Sequence, residues 1–351
     1  MTLLFKPQHV KLILEGKKTQ TRRISKPRVK VGGIYEAKTR LFSKEYFALI
    51  KITGLREEKL GDISDEDVKK EGYNSLEEFI EVWKSIYGSW EPERVVWVLE
   101  FEVVNLAKSR MYENVKTWNP FVGCRFHCVY CKPSFQRQAK RRRKWCELCY
   151  KYEPHFHPER LQRVPSKKTI FCCAFGDVTF AKLEWIEQIF EAIKRHPNKT
   201  FYIQTKDPRT LRYINDIVGI PKNVKLGVTL ETDLDNYETP SKYWHYSEIS
   251  RAPTPSERIK YIFSEARNLV DYITIEPILD FSPGFVRTLE LIYPEFVYIG
   301  YDDHNCKLPE PPLKKTLKLI EELEKFTEVR FKKIRDAWWE ANPAVQKRER
   351  L

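Results

Sequence analysis

Residues 120–131 read Pro-Phe-Val-Gly-Cys-Arg-Phe-His-Cys-Val-Tyr-Cys, which spaces three thiols as C-x3-C-x2-C at Cys124, Cys128 and Cys131. A loop with these gaps can wrap soft thiolates around one face of a cubane, and soft ligands select iron–sulfur clusters or zinc. Three thiolates leave one iron of a 4Fe-4S cluster open to a small molecule. The alternative is a zinc loop that takes a fourth ligand such as His127.

Predicted strands and helices alternate in the sequence after this loop. From about residue 118, short β-rich runs alternate with segments of helical period, as at Leu183, Ile186 and Ile193. Repeated units of this kind predict a parallel sheet with right-handed crossovers, and about five or six of them make a partial or full α/β barrel. A charged helix and an aromatic, basic tail are predicted over 313–339. The predicted strands are 169–175, 201–206, 225–231, 272–279 and 296–301.

The C-x3-C-x2-C spacing is that of the radical S-adenosylmethionine (SAM) superfamily. WNPFVGC, PERL, AFGD, QTKDP, LGVTLE, IEPIL and YIGYD, spread over about residues 117–302, resemble in order a branch of it first noticed among phage proteins. The resemblance implies a 4Fe-4S cluster whose open iron binds SAM, and an electron donor that drives cleavage of SAM to a 5′-deoxyadenosyl radical. It places Tyr130 near the SAM adenine. AFGD stands where the superfamily has a Gly-Gly-Glu-like strand end, so Gly176 would permit close approach and Asp177 would receive the SAM ammonium.

Four further residues are expected at the active rim. Lys206, Glu231 and Glu276 fall at the carboxyl ends of predicted strands, where barrels of this kind place their chemistry. Each could be a structural ion pair, but three charges on one rim favour a site for SAM or a polar substrate. We predict Lys206 and Glu231 as cofactor-binding residues. Lys206, Glu276 and Cys306, the last in a loop after the final strand, are the candidate catalytic residues.

A second cysteine pair follows the cluster loop. Cys146 and Cys149 form C-x2-C, with His155 and His157 close behind, which is the ligand count and softness of a zinc knuckle. An auxiliary iron–sulfur site and two unliganded thiols are the alternatives. The basic run just before the pair would by default be a solvated face, but beside a knuckle it becomes a candidate arm for phosphate contacts. Its predicted nucleic-acid-binding residues are Arg141, Arg142 and Arg143.

The first hundred residues have strand composition at 31–38, 46–55 and 95–104, with a capped amphipathic helix that opens at Ser75. Non-local strands of this kind imply a small barrel. The run Gly16-Lys-Lys-Thr-Gln-Thr-Arg-Arg23 and its neighbours resemble the ASCH domain, a PUA-like β-barrel. PUA-like folds bind RNA, so the resemblance implies a phosphate-facing patch beside a strand. The residues predicted to bind nucleic acid there are Lys17, Lys18, Thr21, Arg22 and Arg23.

Some small ASCH proteins are amidohydrolases for N4-acetylcytidine that use a Lys, a Thr and a Glu. The matching positions are Lys18, Thr21 and Glu71. A desolvated lysine beside a hydroxyl and a carboxylate suits amide cleavage. The same trio can simply bind a nucleoside or a nucleic-acid backbone, and in a fusion with a radical enzyme we favour binding.

Composition limits the class of protein. The 351 residues contain 62 Lys and Arg against 49 Asp and Glu, a net charge of +13 that favours a polyanionic partner over a general basic surface. Eight cysteines in a chain without a recognisable signal peptide are expected to be ligands or catalysts. No apolar run is long enough to span a membrane, so we expect a cytoplasmic protein with no membrane partner.

These features predict a multidomain protein. Residues 1–105 are expected to form a mainly-β PUA-like ASCH barrel that binds RNA, and residues 106–351 an α/β partial TIM-type radical SAM barrel with a basic Cys/His insert at about 136–160. The predicted function is a radical SAM enzyme that modifies RNA, most plausibly tRNA, by methyl transfer, thio transfer or a related reaction. The alternatives are a DNA-directed radical SAM repair lyase, and a nucleoside amidohydrolase or RNA-binding module with a sensory iron–sulfur site.

Overall fold

A computed structural model of the chain describes residues 2–40, 46–104, 115–239 and 242–340. The chain divides into two compact units, Met1–Lys108 and Ser109–Leu351. The predicted domain boundary at residues 105 and 106 lies outside the described residues. Within them, no helix combines the length and the apolar character needed to cross a membrane.

The first unit is built on a five-stranded mixed sheet in the order β1-β3-β4-β5-β2. β1 pairs with β3 in parallel and the other pairings are antiparallel. Its core is apolar, with Ile13, Ile50, Ile52 and Leu99 fully buried. The strands are β1 (Thr2–Leu4), β2 (Gln20–Arg23), β3 (Ile34–Lys38), β4 (Ala48–Lys59) and β5 (Val95–Val104), and the helices are α1 (His9–Leu14), α2 (Asp65–Lys70) and α3 (Leu76–Tyr87).

The sheet of the first unit is open among the described residues, where the sequence predicted a barrel. β1 and β2 are its two edges. They are bridged by a side chain, since Arg23 Nη2 donates to the carbonyl of Leu4 at 2.5 Å. β1 and β2 have three and four residues, so these edges offer few backbone groups for pairing.

The predicted helix cap is present in part. Ser75 Oγ accepts from the amide of Glu78 at 3.3 Å, which satisfies one of the free amides at the start of α3. The Glu78 carboxylate accepts from the amide of Asn74 rather than from that of Ser75. Phe79 and Trp83 form the buried face of α3 and pack against the second apolar cluster of this unit.

The second unit is built on a curled seven-stranded sheet in the order β16-β15-β14-β11-β10-β9-β6, in which every pairing is parallel. Its open edges make it a half barrel. Its strands are β6 (Val115–Trp118), β9 (Thr169–Cys172), β10 (Thr200–Thr205), β11 (Val224–Thr229), β14 (Tyr272–Ile275), β15 (Phe296–Ile299) and β16 (Glu328–Phe331), with the short pairs β7 (Phe121–Val122) and β8 (His155–Phe156), and β12 (Asn236–Thr239) and β13 (Lys242–His245).

The helices of this unit follow the strands. α6 buries Ile186, Ile189 and Ile193 along the stripe that its helical period predicts. The helix predicted from residue 313 ends at Leu323, and β16 follows it with alternating burial of Val329 and Phe331. The helices are α4 (Arg137–Lys140), α5 (Glu147–Lys151), α6 (Leu183–Lys194), α7 (Pro208–Ile217), α8 (Pro255–Tyr261), α9 (Phe285–Ile292) and α10 (Leu313–Leu323).

Close packing between strands explains one glycine. A Cβ at Gly227, in β11, would lie 2.2 Å from the ring of Tyr272 in the neighbouring strand β14. Only the absence of a side chain lets that ring lie against the backbone of β11.

Because all seven strands run the same way, their carboxyl ends meet at one edge of the sheet. The candidate residues Lys206, Glu231 and Glu276 therefore start from the same edge.

Candidate metal centres and active site

The segment with the three cysteines is held between two other pieces of backbone. β7 leads into it and pairs with β8, so that Val122 lies opposite His155. The amide of Gly123 donates to the carbonyl of Phe175 at 3.0 Å. Gly123 has a φ of 108°, and a Cβ there would come within 2.3 Å of the carbonyl oxygen of Glu153, so glycine is required. The start of the cysteine loop is therefore fixed on both sides.

The three thiols open onto one cavity of about 110 Å³, hereafter the barrel cavity. Cys128 Sγ lies 3.1 Å from Ser250 Oγ. A hydrogen bond with Cys131 lowers the pKa of Cys128 to about 6, whereas burial raises the pKa of Cys124.

The spacing of these donors bears on the kind of metal. In the described part of the chain, one Cys/His group has donor atoms close enough together for a single ion, and it does not include Cys124, Cys128 or Cys131. His127 is exposed and is not part of the cavity wall. Thiols that face one cavity but do not converge on one point fit separate irons of a cluster better than the alternative of a single zinc ion.

A buried charge network lies beside the cysteines. Lys206 forms an ion pair with Glu231, and Arg258 Nη1 donates to the other oxygen of Glu231 at 2.7 Å. Burial alone would raise the pKa of Glu231, but Lys206 and Arg258 outweigh it and hold that pKa well below its usual range. Burial would likewise lower the pKa of Lys206, and Glu231 instead raises it. Lys206 is therefore a charged ammonium in the cavity wall.

Tyr130 is fixed by the same network. Its hydroxyl donates to Glu231 at 2.5 Å, and Lys206 Nζ lies 5.3 Å from the centre of its ring. Tyr130 and Lys206 line the barrel cavity, whereas Glu231, which is fully buried, does not. The structure thus places Glu231 behind the two residues that were predicted with it, where it orients them.

AFGD lies next to the cysteine loop. Gly176 forms a parallel bridge with Gly123, and a Cβ at Gly176 would come within 2.8 Å of the Gly123 carbonyl. The Asp177 carboxylate accepts hydrogen bonds from the hydroxyl of Thr205 at 2.6 Å and from the amide of Lys206 at 2.9 Å. Burial raises the pKa of Asp177 despite these bonds. Gly176 and Asp177 both line the cavity.

The wall of the cavity that β14, β15 and β16 supply is acidic. Glu276 pairs with Lys332, and Lys332 Nζ lies 3.3 Å from Asp303 Oδ2. Burial raises the pKa of Glu276 even though Lys332 opposes it. Asp302 and His304 line the same wall. The cavity therefore combines three thiols with a cationic residue, Lys206, and a cluster of carboxylates.

Cys306 occupies a different position from the one its sequence context predicts. Its amide donates to Asp302 Oδ2 at 2.6 Å, and its side chain packs against an apolar cluster that includes Tyr246 and Leu308. It is not in the wall of the barrel cavity. Burial raises the pKa of Cys306 to about 12, with a further contribution from Asp302, so the thiol stays protonated at neutral pH. Its role as a catalytic residue stays a prediction.

The second cysteine pair forms the one group suited to a single ion among the described residues. The donor atoms of Cys146, Cys149, His155 and His157 all lie within 4.8 Å of one another. The group therefore could hold a metal ion. Cys149 is fully buried and Cys146 is half-buried.

The basic run that precedes this group is a surface feature. Arg141, Arg142 and Arg143 are exposed, and so is Trp145, at 82% of its full area. Arg143 lies over the ring of Tyr150 at 4.8 Å. An exposed indole amid cations can stack on a base while the cations contact phosphates.

The first unit has a cavity of its own, about 280 Å³, hereafter the N-terminal cavity. Lys18, Thr21 and Glu71 line it, and Lys18 Nζ donates to Glu71 Oε2 at 2.5 Å and to the Glu71 carbonyl at 2.7 Å. Burial lowers the pKa of Lys18, although Glu71 opposes the shift. His9 Nε2 lies 2.8 Å from the hydroxyl of Tyr73, and both residues line the same cavity.

The predicted phosphate-facing patch of the first unit is not a single exposed surface. Lys17 is exposed, but Lys18, Thr21 and Arg22 are buried. The Arg22 guanidinium is paired with Glu58 at 2.5 Å, Asp67 at 2.9 Å and Glu71 at 3.2 Å. Because successive residues of a strand point to opposite faces, Arg22 of β2 faces these carboxylates and the adjacent Arg23 points away from them.

Several residues that line the barrel cavity, or contact residues that line it, were not singled out in the sequence. Arg258 and Ser250 come from segments whose only local signals are a capped helix start and a polar turn. Lys332 lies directly after β16, a strand that was not predicted. Asp302 and Asp303 follow a predicted strand, so the rule that placed Glu276 at the rim would have found them.

One family model matches part of the second unit. Residues 109–283 match the family model described as a protein of unknown function, DUF5131. No curated protein matches the sequence.

Solved structures align with parts of the chain at low similarity. An ASCH domain from Lactobacillus crispatus JV V101 aligns at 16% identity and a TM-score of 0.24, over 27% of this chain and 69% of that one. Protein EF3133 from Enterococcus faecalis V583 aligns at 18% identity and a TM-score of 0.23, over 27% of this chain and 66% of that one. Spore photoproduct lyase complexed with a dinucleoside spore photoproduct aligns at 11% identity and a TM-score of 0.39, over 61% of this chain and 76% of that one. Similarities at this level do not assign an activity.

Proposed function

We propose that this chain is a radical SAM enzyme that acts on RNA. The observation that carries the first part is that Cys124, Cys128 and Cys131 line one cavity at the carboxyl edge of a curled parallel sheet. Three thiolates without a convergent fourth donor fit a 4Fe-4S cluster that keeps one iron for SAM. With SAM bound, such a cluster supplies one-electron reductive cleavage of the sulfonium, for which an electron donor is a necessary partner.

The other residues of the cavity have roles that follow from their positions. Tyr130 and Gly176 border the space beside the cysteines, and Gly176 lets this part of the wall pack against Gly123. Asp177 and Lys206 offer opposite charges for the amino and carboxylate groups of SAM. Glu231 holds Lys206 and Tyr130 in place. The Glu276–Lys332 ion pair and the neighbouring Asp302 and Asp303 are left to contact the polar edge of a substrate.

A second metal accompanies the cluster in this proposal. Two thiols and two imidazoles in one compact group are the donor set of closed, structural zinc sites, whereas hard cations such as Mg²⁺ prefer oxygen ligands. We therefore assign Zn²⁺ to Cys146, Cys149, His155 and His157. This ion does not take part in the reaction.

RNA is proposed as the substrate because of the charge and the exposed side chains. The net charge of +13, the arginines at 141–143 and the exposed Trp145 suit a single-stranded or looped polyanion. tRNA offers unstacked loop bases beside a phosphate backbone. The ASCH-like sequence of the first unit is consistent with an RNA-binding role.

The arginine arm gives the first test. The affinity for tRNA is expected to fall with salt concentration, and replacing Arg141, Arg142 and Arg143 together by alanine should make this dependence weaker. The magnitude of the slope of log affinity against log salt should decrease by about 2, because each phosphate contact that is lost releases roughly 0.7–0.9 fewer counterions. Filter-binding titrations between low and moderate salt measure the slope. A control of equal charge change replaces Lys314, Lys318 and Lys325, on or just after α10, and should leave the slope unchanged. Equal binding to duplex DNA would point instead to the DNA-directed alternative.

Mass spectrometry of total tRNA nucleosides, with and without the gene, tests the substrate itself. A nucleoside that disappears on deletion and returns with the wild-type gene supports the proposal. Identical profiles, together with no retention of tRNA at moderate salt, would contradict it. SAM cleavage by the anaerobically reconstituted protein tests the reaction class independently of the substrate.

The N-terminal cavity favours a second candidate function, hydrolysis of an N4-acylated cytidine. A buried lysine with a lowered pKa, in contact with a carboxylate and in the same cavity as Thr21, has the chemistry of an amide-cleaving site. If the chain hydrolyses N4-acetylcytidine, Lys18→Ala and Thr21→Val are each expected to lower kcat/KM by about 10²–10⁴-fold. Lys17→Ala, which removes the exposed neighbour, is the control. Nucleoside binding without turnover would leave this cavity as a binding site only.

A further inference from the structure

The donor atoms of the Cys146 group are arranged as ligands around one ion. Cys146 Sγ and Cys149 Sγ lie 3.3 and 3.4 Å from His155 Nε2, and Cys149 Sγ lies 3.3 Å from His157 Nε2. Bond lengths to tetrahedral zinc imply sulfur–nitrogen separations of about 3.5 Å, close to these distances. The two imidazole nitrogens are nearer, at 2.8 Å, so an ion would spread them slightly.

Hydrogen bonds behind the two imidazoles point both free nitrogens at the ion. His155 Nδ1 lies 2.7 Å from the carbonyl of Glu153, which can only accept, so Nδ1 carries the proton. His157 Nδ1 lies 2.8 Å from Glu159 Oε1 and donates in the same way. The Nε2 lone pairs of the neutral rings then face each other and two sulfurs, an arrangement that a cation between them stabilises.

Two of the four ligands are tied to the backbone that leads into the cluster loop. His155 belongs to β8, which pairs with β7, and the amide of His157 donates to the carbonyl of Pro120 at 2.7 Å. Glu153, next to this strand, is the residue against which Gly123 packs. Tyr152, between Cys149 and His155 in the chain, lines the barrel cavity.

We infer that the zinc ion is the clamp that fixes the cluster loop, so that assembly of the iron–sulfur cluster depends on zinc and not the reverse. This role rests on the proposed function, since the cluster loop is what the ion positions. Without the ion, His155 and His157 lose their common anchor to α5. The segment 153–157 then no longer holds β7 and Gly123, and Cys124 is released from its place in the cavity wall.

Cys146→Ser is the sharpest variant for the test. Cys146 caps α5 by accepting from the amide of Cys149 at 3.3 Å, and serine is a good cap but a poor zinc ligand. We expect about one zinc per chain in the wild type, with cobalt giving a tetrahedral thiolate spectrum, and loss of both signals in Cys146→Ser. Amide hydrogen exchange at Val122 and Gly123 should become at least roughly tenfold faster, and iron uptake under limiting reconstitution should fall by about half or more.

Two further variants separate the outcomes. A chain with Cys124, Cys128 and Cys131 all replaced by alanine should lack iron and keep its zinc. Glu159→Ala should weaken zinc binding by roughly 10–100-fold through the lost support of His157, whereas Glu147→Ala, which removes another exposed carboxylate of the same insert, should not.

Retention of zinc by Cys146→Ser would overturn the site. Loss of zinc with unchanged hydrogen exchange and iron uptake would overturn the clamp. Failure of the proposed function gives a different result: the wild type would bind zinc and Cys146→Ser would still exchange faster at Val122 and Gly123, but the reconstituted wild type would not cleave SAM.

Discussion

Cys128→Ala is expected to abolish reductive cleavage of SAM, with a loss of at least roughly 10³-fold, because the remaining two thiolates cannot hold a 4Fe-4S cluster in the barrel cavity. Cys128 is the most buried of the three cysteines, and its sulfur lies against Ser250 and beside Cys131. The substitution removes a ligand from the inner wall of the cavity, where solvent cannot replace it. Iron content should fall from about four per chain to near zero.

The measurement combines iron and zinc analysis with formation of 5′-deoxyadenosine under anaerobic reduction. Cys172→Ala is the matched control, since Cys172 is a buried thiol outside the cavity wall and belongs to neither metal centre. It should keep both metals and the cleavage. Zinc should also remain in Cys128→Ala. A full complement of iron and normal cleavage in that variant would place the cluster elsewhere in the chain.

The alternation of strands and helices in the second unit could be read from the sequence because its central strands are short apolar runs bounded by turns. Each predicted strand from 169 to 301 overlaps a strand of the sheet. The edge strands β6 and β16 were missed. Both are four residues long and carry exposed or half-exposed polar residues, since an edge has a neighbour on one side only.

The charged residues were harder to interpret, since their meaning depends on distant partners. Glu231 has no nearby cation in the chain, and its partners Lys206 and Arg258 lie 25 and 27 residues away. The run at Arg22 and Arg23 suggested a surface patch because the three carboxylates that pair with Arg22 come from two distant segments, β4 and α2 with its C-terminal end. A local sequence pattern indicates where a charged side chain leaves the backbone. It does not indicate whether a residue that is distant in the sequence forms an ion pair with it.

The histidine pair shows what spacing can still reveal. His155 and His157 were a weak zinc signal because their separation is shorter than in a zinc finger. In an extended strand, however, residues two apart point to the same face. His155 begins β8 and His157 directly follows it, and both imidazoles turn towards Cys149. The spacing of two residues between His155 and His157, together with a strand prediction there, would have indicated the candidate metal site directly.

Glu231→Ala is expected to lower the free energy of unfolding of the second unit by about 3–5 kcal/mol, because it leaves two buried cations without a counter-charge. Glu231 and Arg258 are fully buried and Lys206 nearly so. Arg258 already has Nε and Nη2 without hydrogen-bond partners, so it cannot replace the lost carboxylate from within the described residues. The remaining cations must either lose a proton, as Lys206 can, or admit water to the wall of the cavity.

Urea titration followed by tryptophan fluorescence, with hydrogen exchange in β10 and β11, measures this loss. Glu248→Ala is the matched control, since it removes a partly exposed carboxylate whose partner is Lys242 and should cost less than about 1 kcal/mol. Adding Lys206→Met to Glu231→Ala should recover part of the stability by removing one unpaired charge. If Glu231→Ala unfolds at the wild-type urea concentration, the carboxylate does not hold the two cations. The positions of Lys206 and Tyr130 in the cavity would then have to depend on other contacts.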